Sequence, residues 1–138
     1  MTLHVEVVSP ERILWTGEAE MVSARTVGGG EIAFLTGHAP FVGALDIGKV
    51  TIRPEAGATD QVVAVHGGFV EVSNDRVTIL SDVAELKEHV DVPRARAAKE
   101  AAEAILRTEG ANADADAALR RADLRLLVAD AAAAISGH

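Results

Sequence analysis

The chain has 138 residues, 49% of them hydrophobic but only 3% aromatic, and a formal charge of −8. That length accommodates one compact domain, or one of roughly 90 residues with an appendage, and the core must be aliphatic. The acidic balance disfavours nucleic acid as a partner, because phosphate binding asks for a basic face, and the absence of cysteine removes disulfide and thiolate chemistry. The start, Met1-Thr2-Leu3-His4-Val5-Glu6, lacks the basic head and apolar run of a signal peptide. No run of about 18 apolar residues offers a direct membrane span. The expectation is a soluble, cytosolic protein, free to dock on a membrane complex.

Leu3 to Val8 alternates apolar and polar residues with period two, the mark of a half-buried strand. Ile13-Leu14-Trp15 starts a second segment, with Thr16-Gly17 read as a turn. Glu18 to Val27 reads as one further strand that ends at Gly28-Gly29-Gly30, and Ile32 to Leu35 as the next. Gly37 and Pro40 then fix the backbone around His38, just before Phe41-Val42. A loop so constrained between two apolar segments is a shaped surface or a tight sandwich corner. Asp46-Ile47-Gly48 reads as a break before the strand Lys49–Arg53, and Pro54 to Gln61 as a loop. Val62–Val65 and Phe69–Val72 are apolar strands either side of a bend at Gly67-Gly68. Ser73-Asn74-Asp75 before Arg76–Leu80 is a hairpin signal, because Asn and Asp tolerate left-handed angles. About ten short strands with no helix between them predict a flattened β-sandwich over residues 1–88.

The composition changes after Val90. Asp91 is a good N-cap and Pro93 sits in the first turn, where its missing N–H is not needed. A helix then runs to Gly110, and a second, capped by Asn112 or Asp114, to about Ile135, closed by Ser136-Gly137. Leu119, Ala122, Leu126, Ala129 and Ala133 recur at heptad-like spacing, as do Ala95, Ala98, Ala102 and Ile105. Facing stripes of small residues predict an antiparallel helical hairpin over residues 89–138, for an α+β protein overall. An Ala-rich seam buries little area, so the hairpin should be weakly docked and able to move as a unit. Arg120, Arg121 and Arg125 form a basic cluster, read either as a solvated face or as a contact.

Several spacings carry no chemistry. Gly43 to Lys49 has the spacing of a P-loop, but Val50 follows where Ser or Thr is needed, and a strand where a helix is needed. Gly28-Gly29-Gly30 is followed by no helix. His4, His38, His66, His89 and His138 are scattered, with no pair at metal-ligand spacing. Glu18 and Glu20 read as solvent-facing carboxylates on one strand face. No nucleophile, base or metal site emerges, so the chain is read as no enzyme on its own.

Three segments in order resemble the epsilon subunit of the bacterial rotary F-type ATP synthase: Val7-Val8-Ser9-Pro10 with Gly17, Gly30-Glu31-Ile32-Ala33 through Gly37-His38-Ala39-Pro40, and Gly67-Gly68-Phe69-Val70-Glu71-Val72. Val77–Leu80 and the helical tail extend the resemblance over essentially the whole chain. It implies a rotor subunit between the γ subunit and the c-ring, peripheral on the cytoplasmic face of the membrane, with Glu31 and His38 as contact residues. It also implies that the helices, when extended toward the catalytic αβ subunits, inhibit ATP hydrolysis, with the arginine cluster facing an acidic loop there. Some bacterial members bind a regulatory ATP through Ile or Leu followed by Asp-x-x-Arg-Ala. Here the segment reads Val90-Asp91-Val92-Pro93-Arg94-Ala95, with Glu85 upstream and Arg121 and Arg125 on the second helix. Ala101 stands where such binders carry a further arginine, which favours weak binding over tight. Apart from the resemblance, the residues alone also accommodate a stand-alone β-sandwich adaptor, or a nucleotide-sensing module built on Asp91, Arg94, Arg121 and Arg125.

Overall fold

The computed structural model describes residues 2–55 and 58–136, with side chains described as far as Asp130. The side chain of Ala133, the closing Gly137, His138 and the middle of the Pro54–Gln61 loop lie outside the described residues. Within them the chain forms eight strands: β1 (Leu3–Val8), β2 (Ile13–Ala19), β3 (Met21–Thr26), β4 (Gly30–Leu35), β5 (Phe41–Arg53), β6 (Gln61–Ser73), β7 (Arg76–Leu80) and β8 (Ala84–Leu86). A 3-10 turn at Lys87–His89 leads into α1 (Val92–Glu109) and α2 (Ala113–Ser136). The strands hydrogen-bond in the order β2-β1-β7-β6-β5-β3-β4, with β8 added to β6.

Eight strands stand where the sequence suggests about ten, because β5 and β6 each absorb two segments. Both run for 13 residues. Their register passes from Leu45↔Gly68 to Ile47↔His66, so the ladder is interrupted at Asp46 and Gly67 and then resumes. Gly67 and Gly68 take φ of 90° and 125°, angles closed to most residues. Opposite them, the Asp46 carboxylate accepts its neighbour Ile47's N–H at 2.8 Å, replacing a ladder bond. The two strands therefore change direction without ending, and pass from one layer of the sandwich to the other. The second half of β6 pairs with β7 and the first half with β8. The apparent P-loop, Gly43 to Lys49, is the interior of β5.

Two other boundaries move. Thr16-Gly17 is strand, not turn: a Cβ on Gly17 would meet the Trp15 ring at 2.8 Å, so the glycine makes room for an indole lying along its own strand. The stretch from Glu18 to Val27 is two strands, broken at Glu20, whose N–H donates to the Arg53 carbonyl at 2.8 Å. Glu18 and Glu20 consequently do not share one strand face. Glu18 accepts hydrogen bonds from His4 and Thr2, each at 2.8 Å, which hold its carboxyl below the usual range. The β6–β7 hairpin forms as expected, with Asn74 and Asp75 at φ of 51° and 58°.

The core lies between the layers and is aliphatic around one ring, Phe34, with Leu3, Val5, Val7, Val22, Ile52, Val70 and Ile79 fully buried. Strand β1 alternates buried and half-buried residues along its whole length. Asp91 caps α1 by accepting the Arg94 N–H at 3.1 Å, and Gly110 ends it at φ 73°. Of the two candidate caps for α2, Asn112 serves, taking the Ala115 N–H at 3.0 Å. The heptad-like stripes are only partly buried. Ala95, Ala102 and Ala122 are inside, but Ala98 and Ile105 are exposed and Leu119, Leu126 and Ala129 half-buried. The reason is that α2 has two neighbours: it packs on α1 and also on β5 and β6.

A methyl group at Gly68 would lie 2.0 Å from the Leu80 carbonyl oxygen. Gly68→Ala should therefore cost about 3 kcal/mol or more. Gly28→Ala, at φ 76° but in open space, should cost only about 1–2 kcal/mol of backbone strain. The shift in the urea midpoint of each variant measures the difference.

Candidate functional site

Leu124 and Val128 of α2 rest on Val62 and Ala64 of β6, with Ile47 and Val90 beside them. Burying two aliphatic side chains of this size contributes about 3–6 kcal/mol before ordering costs. Polar contacts supplement this small apolar seam. Arg125 of α2 donates its Nε–H to Glu85 Oε1 of β8 at 2.6 Å, and the same oxygen lies 3.2 Å from Nε2 of His66 on β6. Farther along α2, Arg120 reaches Asp46 at 3.4 Å, and Lys99 of α1 pairs with Asp123 at 3.0 Å, tying the two helices together. That hydrogen bond raises the Lys99 ammonium above its ordinary value.

Beside the Arg125–Glu85 pair opens a cavity of about 440 Å³, lined by Glu85, His89, Asp91, Arg94, Ala95, Ala98 and Arg125. Every element of the hinge contributes: Glu85 from β8, His89 from the 3-10 turn, Asp91 as helix cap, Arg94, Ala95 and Ala98 from α1, Arg125 from α2. Of the residues singled out in sequence for a bound nucleotide, Glu85, Asp91, Arg94, Ala95 and Arg125 meet here. Arg121 does not line the cavity; its charge acts instead on His66. Both carboxylates have other engagements, Glu85 with Arg125 and Asp91 with the Arg94 N–H. The two guanidinium groups thus remain the donors suited to an anion.

Nothing in the sequence singles out His66 or His89. His66 was legible only as one of five scattered histidines, since its partners lie on β8 and α2. Its side chain is 3% exposed, and burial, followed by the Arg125 charge, holds the imidazole below its ordinary value against the raising effect of Glu85. Glu31 lies near the start of β4 and His38 in the turn beyond its end. Glu31 is exposed and accepts the Ser23 hydroxyl at 2.9 Å; it borders a second cleft with Arg25, Lys49 and Arg120. His38 is half-buried, its ring edge-on to Phe34 at 5.0 Å, and its turn is fastened by Gly37 N–H donating to the Asp75 carboxylate at 2.7 Å. Among the described residues no three His, Asp or Glu side chains cluster as metal ligands, and no helix is long and apolar enough to cross a membrane.

Fold and seam define a class: a β-sandwich with a helical hairpin held on its side by α2, and a polar cavity at the hinge. Comparison with known proteins specifies it. The family model for the ATP synthase delta/epsilon chain β-sandwich domain matches residues 2–87. The ATP synthase epsilon chain of Streptomyces griseus is 46% identical over 125 residues, covering 90% of this chain and 92% of that one. That of Halalkalibacterium halodurans is 48% identical over 132 residues, covering 93% and 97%. Among solved structures, a chain of the Euglena gracilis mitochondrial ATP synthase, described as OSCP/F1/c-ring, superposes with a TM-score of 0.69 at 20% identity, over 99% of this chain and 82% of that one. A chain of the Tetrahymena thermophila mitochondrial ATP synthase, described as central stalk/c-ring, gives 0.55 at 15% identity, over 96% and 97%. The chain belongs to the ATP synthase epsilon-chain family, a non-catalytic subunit of that complex.

Removing either partner of the Glu85–Arg125 pair should loosen the hairpin from the sheet. In a double-mutant cycle of Glu85→Ala and Arg125→Ala, the coupling should be about 1–2 kcal/mol, read from urea melts followed by helical circular dichroism.

Proposed function

We propose that the chain is a rotor subunit of the central stalk, joining the γ subunit to the c-ring so that rotation of the ring turns γ, and that its helices inhibit ATP hydrolysis when they leave the sandwich. The observation that carries the coupling role is an apolar row on the outer face of the sheet. In register across five strands stand Ala44 (β5), Phe69 (β6), Leu80 (β7), Val8 (β1) and Ile13 (β2). Val27 extends the row, its N–H donating to the Ala44 carbonyl at 2.9 Å. Phe69, Ile13 and Val27 are more than half exposed, at 57%, 56% and 62%. A run of large apolar side chains in water is unfavourable for a monomer and marks a partner surface. The γ subunit is its proposed occupant. Glu31, near the start of β4, and His38, in the turn beyond its end, then serve as separate contacts at the two ends of the sandwich. The setting is the cytoplasmic face of the membrane, in keeping with the central-stalk and c-ring assemblies from which the two structural neighbours come.

Residues 1–88 and 89–138 are taken as the coupling and regulatory units. In the docked state Arg120 and Arg125 are spent on Asp46 and Glu85. Extension of the helices frees them, with Arg121, to face acidic groups on the αβ catalytic subunits. The hinge cavity is the proposed site for a regulatory ATP. Arg94 and Arg125 meet the phosphates there, Arg121 adds positive charge from the same helix as Arg125, and Ala95 and Ala98 leave room. Glu85 holds Arg125 in place, and Asp91 fixes the first turn of α1. Because Ala101 supplies no further cation and Glu85 already neutralises Arg125, the affinity is weak. The ligand bridges β8 and both helices, so ATP favours the docked state.

Two measurements test this. Phe69→Glu and Leu80→Glu should each weaken binding to the γ subunit at least tenfold without loss of fold; unchanged affinity would move γ to another face. Isothermal titration with ATP should give weak binding that Arg94→Ala reduces by about tenfold, one charge-assisted contact being worth about 1.5–3 kcal/mol. Heat that is absent, or indifferent to Arg94, would leave Asp91 a plain helix cap.

A further inference from the structure

Among the described residues, His66 is the one histidine whose imidazole is shut inside the seam, and neither the coupling role nor the nucleotide site uses it. Its backbone belongs to β6 next to Gly67-Gly68, where the strand changes layer, and its N–H donates to the Val83 carbonyl at 3.0 Å. Its ring projects to the contact of β8 with α2. Nε2 lies 3.2 Å from Glu85 Oε1, the oxygen that also takes Arg125 Nε–H at 2.6 Å. Nδ1 is buried and finds no partner among the described residues. The neutral tautomer with its proton on Nε2 fits this site: it donates to Glu85 and leaves Nδ1 an idle acceptor.

Protonation would change two things at once. A second N–H would appear on Nδ1, buried without an acceptor, which carries a desolvation penalty. A second cation would also share one carboxylate oxygen with Arg125. The surrounding charges do not relieve this: Asp82, between β7 and β8, shares a small cleft with His66, but the charges that bear on the imidazole are those of Arg125, Glu85 and Arg121. From α2, Arg125 and Arg121 are both positive, and from β8 Glu85 is the only facing anion. On β5, opposite His66, the nearest carboxylate is Asp46, already bonded to the Ile47 N–H and to Arg120, while Lys49 adds positive charge farther along. In the 3-10 turn Lys87 reaches the Asp60 carbonyl and Glu88 the Gln61 amide. From α1, Arg94 faces Glu85 across the cavity, beside His89.

We propose that His66 is an acid-sensitive latch on the helical hairpin: uptake of a proton by its imidazole releases α2 from the sandwich. Release removes Arg125 and Arg121 and opens the ring to water, so the undocked chain holds that proton without penalty. The sign follows from the imidazole's depressed position in the docked state. Docking is at full strength above the ordinary imidazole range and is lost as pH falls through that range toward the lower docked value. Each unit between the two values shifts the docked-to-released ratio by up to about tenfold. The consequence, helices freed for inhibition as the interior acidifies, rests on the hairpin-release reading above.

The chain has no cysteine, so two can be placed at will. Spin labels on Glu71→Cys in β6 and Glu109→Cys at the end of α1 report hairpin docking in the isolated full-length chain. At pH 8 a single distance, that of the docked hairpin, is expected. At pH 5.5 a longer population should appear, several-fold larger than in the same chain carrying His66→Gln, whose side chain keeps a donor but does not titrate. Identical distances at both pH values, or acid release that survives His66→Gln, would overturn the latch. Should His66→Gln open the hairpin at both pH values, the His66 ring-proton titration in the unsubstituted chain decides. A midpoint below that of free histidine upholds the latch, and one at or above it overturns it. An acid-indifferent hairpin leaves the inhibitory role untouched, since that is measured separately as ATP hydrolysis by the assembled synthase.

Discussion

One carboxylate joins the two halves of the molecule. Glu85 Oε1 takes the Nε–H of Arg125 at 2.6 Å and stands 3.2 Å from His66, so a single oxygen links β8, β6 and α2. The same side chain lines the hinge cavity. Anything that alters its surroundings acts on all three elements together. The apolar part of the seam is too small to make the hairpin an inseparable part of the core. It consists of Leu124 and Val128 on Val62 and Ala64, with half-buried Ile47 and Val90 at the edges. Alanine elsewhere on the helices lets them lie close to each other and gives them little to hold the sheet with. The hairpin is thus a self-consistent unit, tied internally by Lys99–Asp123 and externally by a few charged contacts.

The sandwich is built to the opposite specification. Its aliphatic core is continuous around Phe34, and its two longest strands run through both layers. That continuity requires the glycine pair at 67 and 68, since a Cβ at Gly68 would overlap the Leu80 carbonyl. A rigid body with an exposed apolar row suits the transmission of force. A lightly docked appendage suits regulation, because an element can switch only if its two states differ by a few kcal/mol. The proposed division of labour rests on how much apolar area each half buries.

Much of this was legible in the sequence where the determinants are local. The β6–β7 turn at Asn74-Asp75, the Asp91 cap, the Gly110 stop and the alternation of β1 depend on neighbouring residues and were read correctly. The sequence misleads where side-chain packing or a distant strand decides. Gly17 looks like a turn until the Trp15 ring lies over it, and Gly67-Gly68 looks like a strand end until β5 bulges opposite at Asp46. The family resemblance placed Glu85, Asp91, Arg94, Ala95 and Arg125 as a set, and the fold brings them to one cavity. It did not point to His89, which reaches the cavity from the 3-10 turn, or to His66, whose role depends on burial by an element some sixty residues on in the chain.

If the hairpin is a separately releasable unit, it must open without the sheet. Native-state hydrogen exchange across a urea series tests this most directly. The α1 and α2 amides should exchange together through an opening several kcal/mol below that of β1, β6 and β7. Exchange of the helices only with global unfolding of the sheet would contradict it, because the hairpin would then be part of the core rather than a switch resting on it.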